Sequence, residues 1–316
     1  VLVFRELGEV PESAAHGRVV AIGVFDGVHR GHQRILGEAA KAGHESGASV
    51  MAVTFQPHPE AVLRPHPAPR LLTSLERKAE LIEGLGVDEL LVVQFDRMFA
   101  RLTPGEFCRK VLSDHLGARI VLVGENFRFG HQGAGTPLDL REYGRSHHFE
   151  VRTVPLAEDD GLTISSTRIR ALITSGHVAE AAALLGRPHR IEGVIVKGAG
   201  RGRTLEAPTA NLAVGAETAI PKLGVYVTRS VVDGGRTHAS VTSVGTNPTF
   251  EVDHKTRIET LFLDEGEDVY GRGMALDFLE RIRGQETFRD PATLVAQIKK
   301  DSEIARSYLA NRRDLF

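Results

Sequence analysis

His29 and His32 lie three residues apart in "GVFDGVHRGHQ" (residues 23–33), with Gly27 and Gly31 beside them. Two imidazoles beside backbone that glycine leaves open suit an anion, because ring N–H groups stabilise charge developing on a transferring phosphate. A helix starting near Val28 turns both rings one way and adds free N–H groups at its positive dipole end. Two surface histidines at a helix start are the plain alternative. An H-x-x-H zinc pair is a third, without a ligand set around it that stands out. Two further stretches favour the anion. "GENFRFG" (124–130) supplies an amide, an arginine and two aromatic rings after an apolar run. "ISSTRIRAL" (164–172) sets Ser165, Ser166 and Thr167 ahead of Arg168 and Arg170, a second corner of hydroxyls and guanidinium groups.

The second half carries chemistry of its own. The Gly/Arg-rich "GAGRGRTLEAPTANL" (198–212) can wrap phosphates with backbone N–H groups. Thr209 and Asn211, in what reads as a Pro-Thr turn, offer hard oxygens suited to Mg²⁺. Glu259, in "RIETLFLDEGEDVYG" (257–271), reads by itself as a solvent-facing strand carboxylate.

These residues need elements to hold them. "RVVAIGVF", "ASVMAVTF", "DELLVVQF", "ARIVLVG" and "FEVRTVP" have the length and β-branched content of buried strands. "QRILGEAAKAGHES", "SLERKAELIEGLG", with Ser74 as cap, and "PGEFCRKVLSDHLG" read as helices between them. Alternation of this kind predicts a parallel sheet covered on both faces, with ligands beyond the carboxyl ends of its strands. "QPHPEAVLRPHPAPR" (56–70) reads as an extended loop. From about residue 187 strands follow one another through short turns, with "DGG" at 233–235 a hairpin signal, and a last helix spans 291–310. The prediction is a small antiparallel barrel closed by a helix, with the boundary in "LLGRPHRIEG" (184–193): domains 1–186 and 187–316.

A length of 316 residues suits two domains, and 41% apolar residues suffice for two cores. A net charge of −2 argues against a general nucleic-acid surface, so any phosphate site is local. The single cysteine, Cys108, excludes an intramolecular disulfide and a cysteine zinc site, and points to the cytoplasm. No apolar run approaches the roughly 18 residues of a membrane span. The first residues read as a poor secretory signal, with no basic region before their apolar patch.

Taken in order, "GVFDGVHRGHQ", "TFQPHPEAVL" (54–63), "GENFRFG" and "ISSTRIR" resemble the adenylyltransferase module of bacterial bifunctional riboflavin kinase/FAD synthetases. "GAGRGRTLEAPTANL", "SVGTNPTF" (243–250), "RIETLFLDEGEDVYG" and "RIRGQETF" (281–288) follow in the order of that family's kinase module. The resemblance implies a Rossmann-like nucleotidyltransferase domain followed by a β-barrel riboflavin kinase domain, using ATP and Mg²⁺ to make FMN and then FAD. It implies that His29 and His32 contact the ATP phosphates, with Gly23, Phe25, Asp26, Gly31, Asn126, Ser166, Thr167 and Arg170 binding nucleotide. Phe55, Pro57, His58, Phe127 and Phe129 fall near where the family holds flavin, and Arg283, in the kinase module, is expected to hold flavin or nucleotide at the barrel mouth. In the kinase module it assigns Gly202 and Arg203 to ATP, Thr209 and Asn211 to Mg²⁺, and Glu259 as the base for the ribityl 5′-hydroxyl. The chain departs from the family form at Thr163, where many members have a basic residue, at Leu261, often His, and at Glu206, usually Gly. A carboxylate at 206, close to the expected triphosphate, predicts a raised KM for MgATP. The alternative is an adenylyltransferase whose second domain is a weak kinase or a flavin-binding regulatory module.

Overall fold

The computed structural model describes residues 1–11, 17–64, 67–197, 209–246, 256–264, 269–310 and 312. Contacts divide the chain into two units, Val1–Ser166 and Thr167–Phe316.

In the first unit, β1 (Leu2–Phe4), β2 (Arg18–Ile22), β3 (Ser49–Gln56), β4 (Glu89–Gln94), β5 (Ala118–Gly124) and β6 (Glu150–Val154) form one sheet, ordered β1-β4-β3-β2-β5-β6. Every pairing in it is parallel. All five residues of β2 are buried, as a central strand covered on both faces requires. Val19 and Ala21 meet α1 (Arg30–Ser46) and α3 (Leu75–Glu83), whereas Val20 and Ile22 meet the opposite core. That second core is built on the helical segment 104–115 and on α5 (Pro137–His147). The segment opens as one α-helical turn, α4 (Pro104–Glu106), and continues with π-helical bonding over Phe107–His115. The expected loop at 56–70 holds a short helix, α2 (Pro59–Leu63), because Pro59 starts it without needing an N–H partner and His58 caps it.

β3 and β4 are added on one side of β2, β5 and β6 on the other, so the strand order reverses between β2 and β5. Open parallel sheets leave a crevice at that reversal, beyond the carboxyl ends of the strands. "GVFDGVHRGHQ" leaves β2 and "GENFRFG" leaves β5, so both stretches border it. A two-stranded ribbon, β7 (Glu158–Asp159) with β8 (Leu162–Thr163), leads to α6 (Ser166–Ser175).

The second unit begins within α6 and continues through α7 (Val178–Leu185) into a closed barrel. Its strands are β9 (His189–Val196), β10 (Thr209–Val214), β11 (Gly224–Val232), β12 (Thr237–Thr246), β13 (Thr256–Phe262) and β14 (Gly273–Arg283). They are ordered β10-β13-β12-β11-β14-β9, and β9 closes the ring by pairing with both β10 and β14. The turn at 233–235 behaves as its sequence predicts: Asp233 and Gly234 both take positive φ, 48° and 68°. That is the pair of conformations a tight hairpin turn demands. Thr209 and Asn211, expected in a turn, lie instead in β10, where Ala210 and Leu212 alternate inward with the barrel core. Ile191, Ile195, Tyr226, Val244, Leu276 and Phe278 fill that core, and Val178 of α7 joins it. Five hydroxyls share its interior in one chain, Ser230–Ser240–Thr228–Thr242–Thr260, with O···O distances of 2.6–2.9 Å. Each satisfies its neighbour, so none is a buried orphan. The last helix, α8 (Pro291–Ala310), spans the predicted residues and packs Ala305 and Leu309 on the outer face against Val225, Val227, Val241 and Leu279.

Candidate active site

α1 starts at Arg30, two residues later than Val28, with His29 as its N-cap. The His29 Nδ1 accepts the His32 backbone N–H at 3.4 Å, so the imidazole takes one of the free N–H groups of the helix end. The two rings stack, 3.6 Å between centroids and 19° between planes, and Phe25 meets His32 edge-on at 5.3 Å. His29 is 5% exposed and Phe25 fully buried. Phe25 therefore supports the His32 ring. His32 Nδ1 is buried without a hydrogen-bond partner among the described residues. Burial first, and then the neighbouring His29 and Lys78, hold the His32 pKa well below the usual imidazole value. His32 is accordingly neutral at pH 7 and can act as an uncharged donor.

The turn that carries the pair is strained and clamped. Phe25 and Val28 take positive φ, 50° and 39°, a region bulky residues avoid unless the surroundings over-determine it. The buried Asp26 carboxylate accepts the N–H groups of Leu72 at 2.9 Å and Thr73 at 3.4 Å, and Gly27 N–H donates to Thr73 Oγ1. Asp26 is thus a tether between the turn and the segment before α3. Ser166 Oγ donates to Asp26 O at 2.9 Å, joining the start of "SSTRIR" to the turn. Thr167 on α6 is exposed and Arg170 half-buried. Gly23 lies over the Phe25 ring, where a Cβ would come within 2.8 Å. Asn126, exposed beyond β5, folds back so that its Oδ1 would be 3.3 Å from a Cβ at Gly124.

Gly31 is explained by its neighbour more than by open backbone: a Cβ there would stand 3.2 Å from the His29 ring. Gly→Ala inside a helix ordinarily stabilises by about 0.5–1 kcal/mol. Gly31→Ala is therefore expected to leave the melting temperature unchanged or raised while slowing FAD formation about tenfold, since small misplacements of catalytic groups are costly. Rates and melting curves of the two proteins check this, and a parental rate would show that the His29 ring tolerates displacement.

The aromatic residues expected at the flavin site form one row. Phe55 touches Phe99 at 6.1 Å, Phe99 touches Phe107 at 6.2 Å, Phe107 touches Phe129 at 5.6 Å, and Phe127 stacks on Phe129 at 5.6 Å. Phe55 and Phe127 are half-buried, at the open ends of β3 and β5. Pro57 follows a cis Gln56–Pro57 bond, and His58 Nδ1 accepts the Glu60 N–H. Phe95 and Phe99, spaced one turn apart in sequence, belong to the same cluster and were missed. Cys108, in the core beneath, is buried with its thiol pushed up to about 12, which removes it from chemistry.

In the barrel, antiparallel register sets Asn211 directly opposite Glu259, and Glu259 opposite Ser243. Directly opposed residues share a face with Cβ atoms about 4.5–5.5 Å apart. Ala210, Ile258 and Val244 point into the core, so Thr209, Asn211, Glu259 and Ser243 lie together on the outer face. All four are half-buried. Gln285 Nε2 donates to Ser243 Oγ at 3.0 Å and to Val244 O at 2.8 Å, holding the segment after β14 across this patch. Arg283, expected near the ligand, pairs with the last helix. Its fork is taken by Asp301, a 2% exposed residue of α8, at 2.8–3.2 Å, and its ring neighbour is Phe288. It ties the end of β14 to the last helix. Gly202, Arg203 and Glu206 lie outside the described residues, as do Asn247–Phe250 of "SVGTNPTF".

Sequence reading also missed Lys78. Its signal was a lysine on the apolar stripe of α3, one turn ahead of the buried Ile82.

A parallel nucleotidyltransferase-type sheet with a phosphate-suited turn at its switch point, followed by a closed barrel with a polar outer patch, defines a two-domain transferase. A family model described as FAD synthetase matches residues 12–168, and one described as riboflavin kinase matches residues 185–309. The chain is 37% identical over 298 residues to a bifunctional riboflavin kinase/FMN adenylyltransferase of Listeria monocytogenes, covering 94% of each chain. It is 35% identical to the one of Bacillus subtilis, covering 93% of each. The chain belongs to the bifunctional riboflavin kinase/FMN adenylyltransferase family. A crystal structure from Streptococcus pneumoniae, of a protein described as a macrolide-efflux protein, superposes with a TM-score of 0.83 at 32% identity, covering 96% of this chain and 98% of that one. Among the described residues here, no helix is long and apolar enough to cross a membrane.

Proposed function

We propose that this protein phosphorylates riboflavin to FMN with one ATP and transfers the adenylyl group of a second ATP onto FMN, giving FAD and pyrophosphate. The observation that carries the reading is the placement of the His29–His32 stack and the "GENFRFG" loop on either side of the β2/β5 switch point, where such sheets bind ligands. In adenylyl transfer the phosphate of FMN attacks the α-phosphate of ATP and pyrophosphate leaves. His29 and His32 donate N–H groups to the charge that develops there. Asn126, Ser166, Thr167 and Arg170 hold the nucleotide, and Asp26 and Phe25 keep the turn in shape. The row from Phe55 to Phe127 offers an apolar aromatic wall to the isoalloxazine ring, with Pro57 and His58 at its edge.

In the kinase step Glu259 takes the proton of the ribityl 5′-hydroxyl as that oxygen attacks the γ-phosphate and ADP leaves. Thr209 and Asn211 fit a hard cation: both present oxygens on one face, and Asn211 stands opposite the Glu259 carboxylate. They would hold Mg²⁺, which neutralises phosphate charge when bound. Gly202 and Arg203 would cradle the triphosphate. The activities divide as 1–186 for adenylyl transfer and 187–316 for phosphorylation, since Thr167 and Arg170 serve the first reaction. The partners are small molecules, a net charge of −2 offers no general nucleic-acid surface, and one buried thiol suits the reducing cytoplasm.

Chromatographic separation of flavins tests this. Riboflavin with MgATP is expected to yield FMN and then FAD, and FMN with MgATP to yield FAD with stoichiometric pyrophosphate. FAD without any FMN formed from riboflavin would leave only the first domain active. No product from either mixture would overturn the reading.

A further inference from the structure

We infer that Lys78 is a positioning residue for adenylyl transfer: its ammonium, reaching from α3, locks the Val24–Val28 turn in the shape that presents His29 and His32. The inference rests on the function proposed above for that turn. Lys78 is 7% exposed, a burial lysine rarely tolerates unless its charge has partners. Its Nζ donates to Val24 O at 2.9 Å and to Thr54 Oγ1 at 3.2 Å. Thr54, fully buried on β3, gives its own proton to the same carbonyl at 2.8 Å. Val24 O therefore accepts two donors immediately before Phe25, the first of the two strained residues. From the same segment, Leu72 and Thr73 tether Asp26 and Gly27. Segment 72–78 is thus a clamp, and Lys78 brings a charged donor to it.

A lysine that served packing alone could be methionine, with nearly the same volume and none of the desolvation cost. The difference is the charge. Among the described residues, the titratable and charged groups that act on the His32 ring are His29 from its own turn and Lys78 from α3, while Asp26 acts on Lys78 and offsets part of its desolvation. Lys78 disfavours a proton on His32, so the imidazole stays a neutral donor across the physiological range. Removing the positive charge makes His32 easier to protonate. If the neutral ring is the working form, the acid limb of the rate profile then moves to higher pH.

The test uses Lys78→Met and Lys78→Arg in the full chain. FAD formation from FMN and MgATP is followed against pH, and the His32 ring is titrated by NMR. Circular dichroism and melting curves of the same preparations report an intact fold, and phosphorylation of riboflavin reports an intact barrel. Lys78→Met is expected to slow FAD formation at least tenfold, leave FMN formation unchanged, and raise both the acid limb and the His32 titration by on the order of one pH unit. Lys78→Arg, which keeps the charge, is expected to return the titration to its parental position. A parental FAD rate in Lys78→Met overturns the inference. So does a slower rate with an unmoved acid limb and titration, which would make Lys78 a packing residue. Should Lys78→Met also lose FMN formation, Lys78→Arg decides, and a His32 titration shifted there as well counts against the inference. If the parent makes no FAD, the proposed function fails, while the NMR titration still judges the link between Lys78 and His32.

Discussion

His32→Ala is expected to cut FAD formation from FMN and MgATP by roughly a hundredfold or more, the scale of losing one oxyanion-type donor, about 2.7–4 kcal/mol. FMN formation from riboflavin, carried by a separate barrel with its own core, is expected to be unchanged. The expectation rests on three features of His32. Its ring is stacked at 3.6 Å on His29, so its direction is set. Its pKa is held well below the usual value, first by burial, so it works as a neutral N–H donor at pH 7. Its buried Nδ1 lacks a partner among the described residues, a cost that a merely structural histidine would be selected to avoid. His29 needs a subtler variant, because it also caps α1. His29→Ala removes the ring and the cap together, and the cap is worth about 1 kcal/mol. His29→Asn retains capping chemistry and removes the imidazole. Loss of FAD formation in His29→Asn with a parental melting temperature assigns the ring to the reaction; full activity would reduce His29 to a cap. Equal loss of both products in any of these variants, with the fold intact by circular dichroism, would remove the case for two separate sites.

Glu259→Gln is expected to do the reverse. Glutamine keeps the shape and the place opposite Asn211 and Ser243, but it cannot take a proton. A positioned general base contributes typically about 10²–10⁴-fold, so FMN formation is expected to fall within that range while FAD synthesis from supplied FMN continues. Steady-state rates with riboflavin and with FMN, measured on one preparation, check both halves at once. Near-parental FMN formation would take Glu259 out of the mechanism and leave it as one polar residue of the outer face. Because Ile258 and Thr260 point inward on either side of it, the substitution leaves the barrel core untouched.

Much of this was legible in the chain, and the division follows from the range of the forces involved. Burial on both faces forces β-branched, continuously apolar runs, so β2, β3, β4 and β5 could be read one by one. Ser74 caps α3, and Asp233–Gly234 turns β11 into β12, through hydrogen bonds and φ values set within four residues. The histidine pair and the hydroxyl–arginine corner were visible because their chemistry resides in residue type and short spacing. Long-range closure decided the rest. That β2 neighbours β5 rather than β4 is a property of the assembled sheet, and it turns two separate motifs into the rims of one crevice. Ser166 reaches Asp26 across 140 residues, and Arg283 pairs with Asp301 on α8. No local pattern records either pairing. Asn211 meets Glu259 only through the β10/β13 register, which a shift of one residue would break by sending one side chain into the core. Sequence by itself determined which residues this protein has for phosphate chemistry and which segments are strands or helices. Tertiary structure decided which of them meet, which are spent holding the fold, and that a lysine on an apolar stripe stands beneath the histidines, because those outcomes depend on packing between segments that no local periodicity encodes.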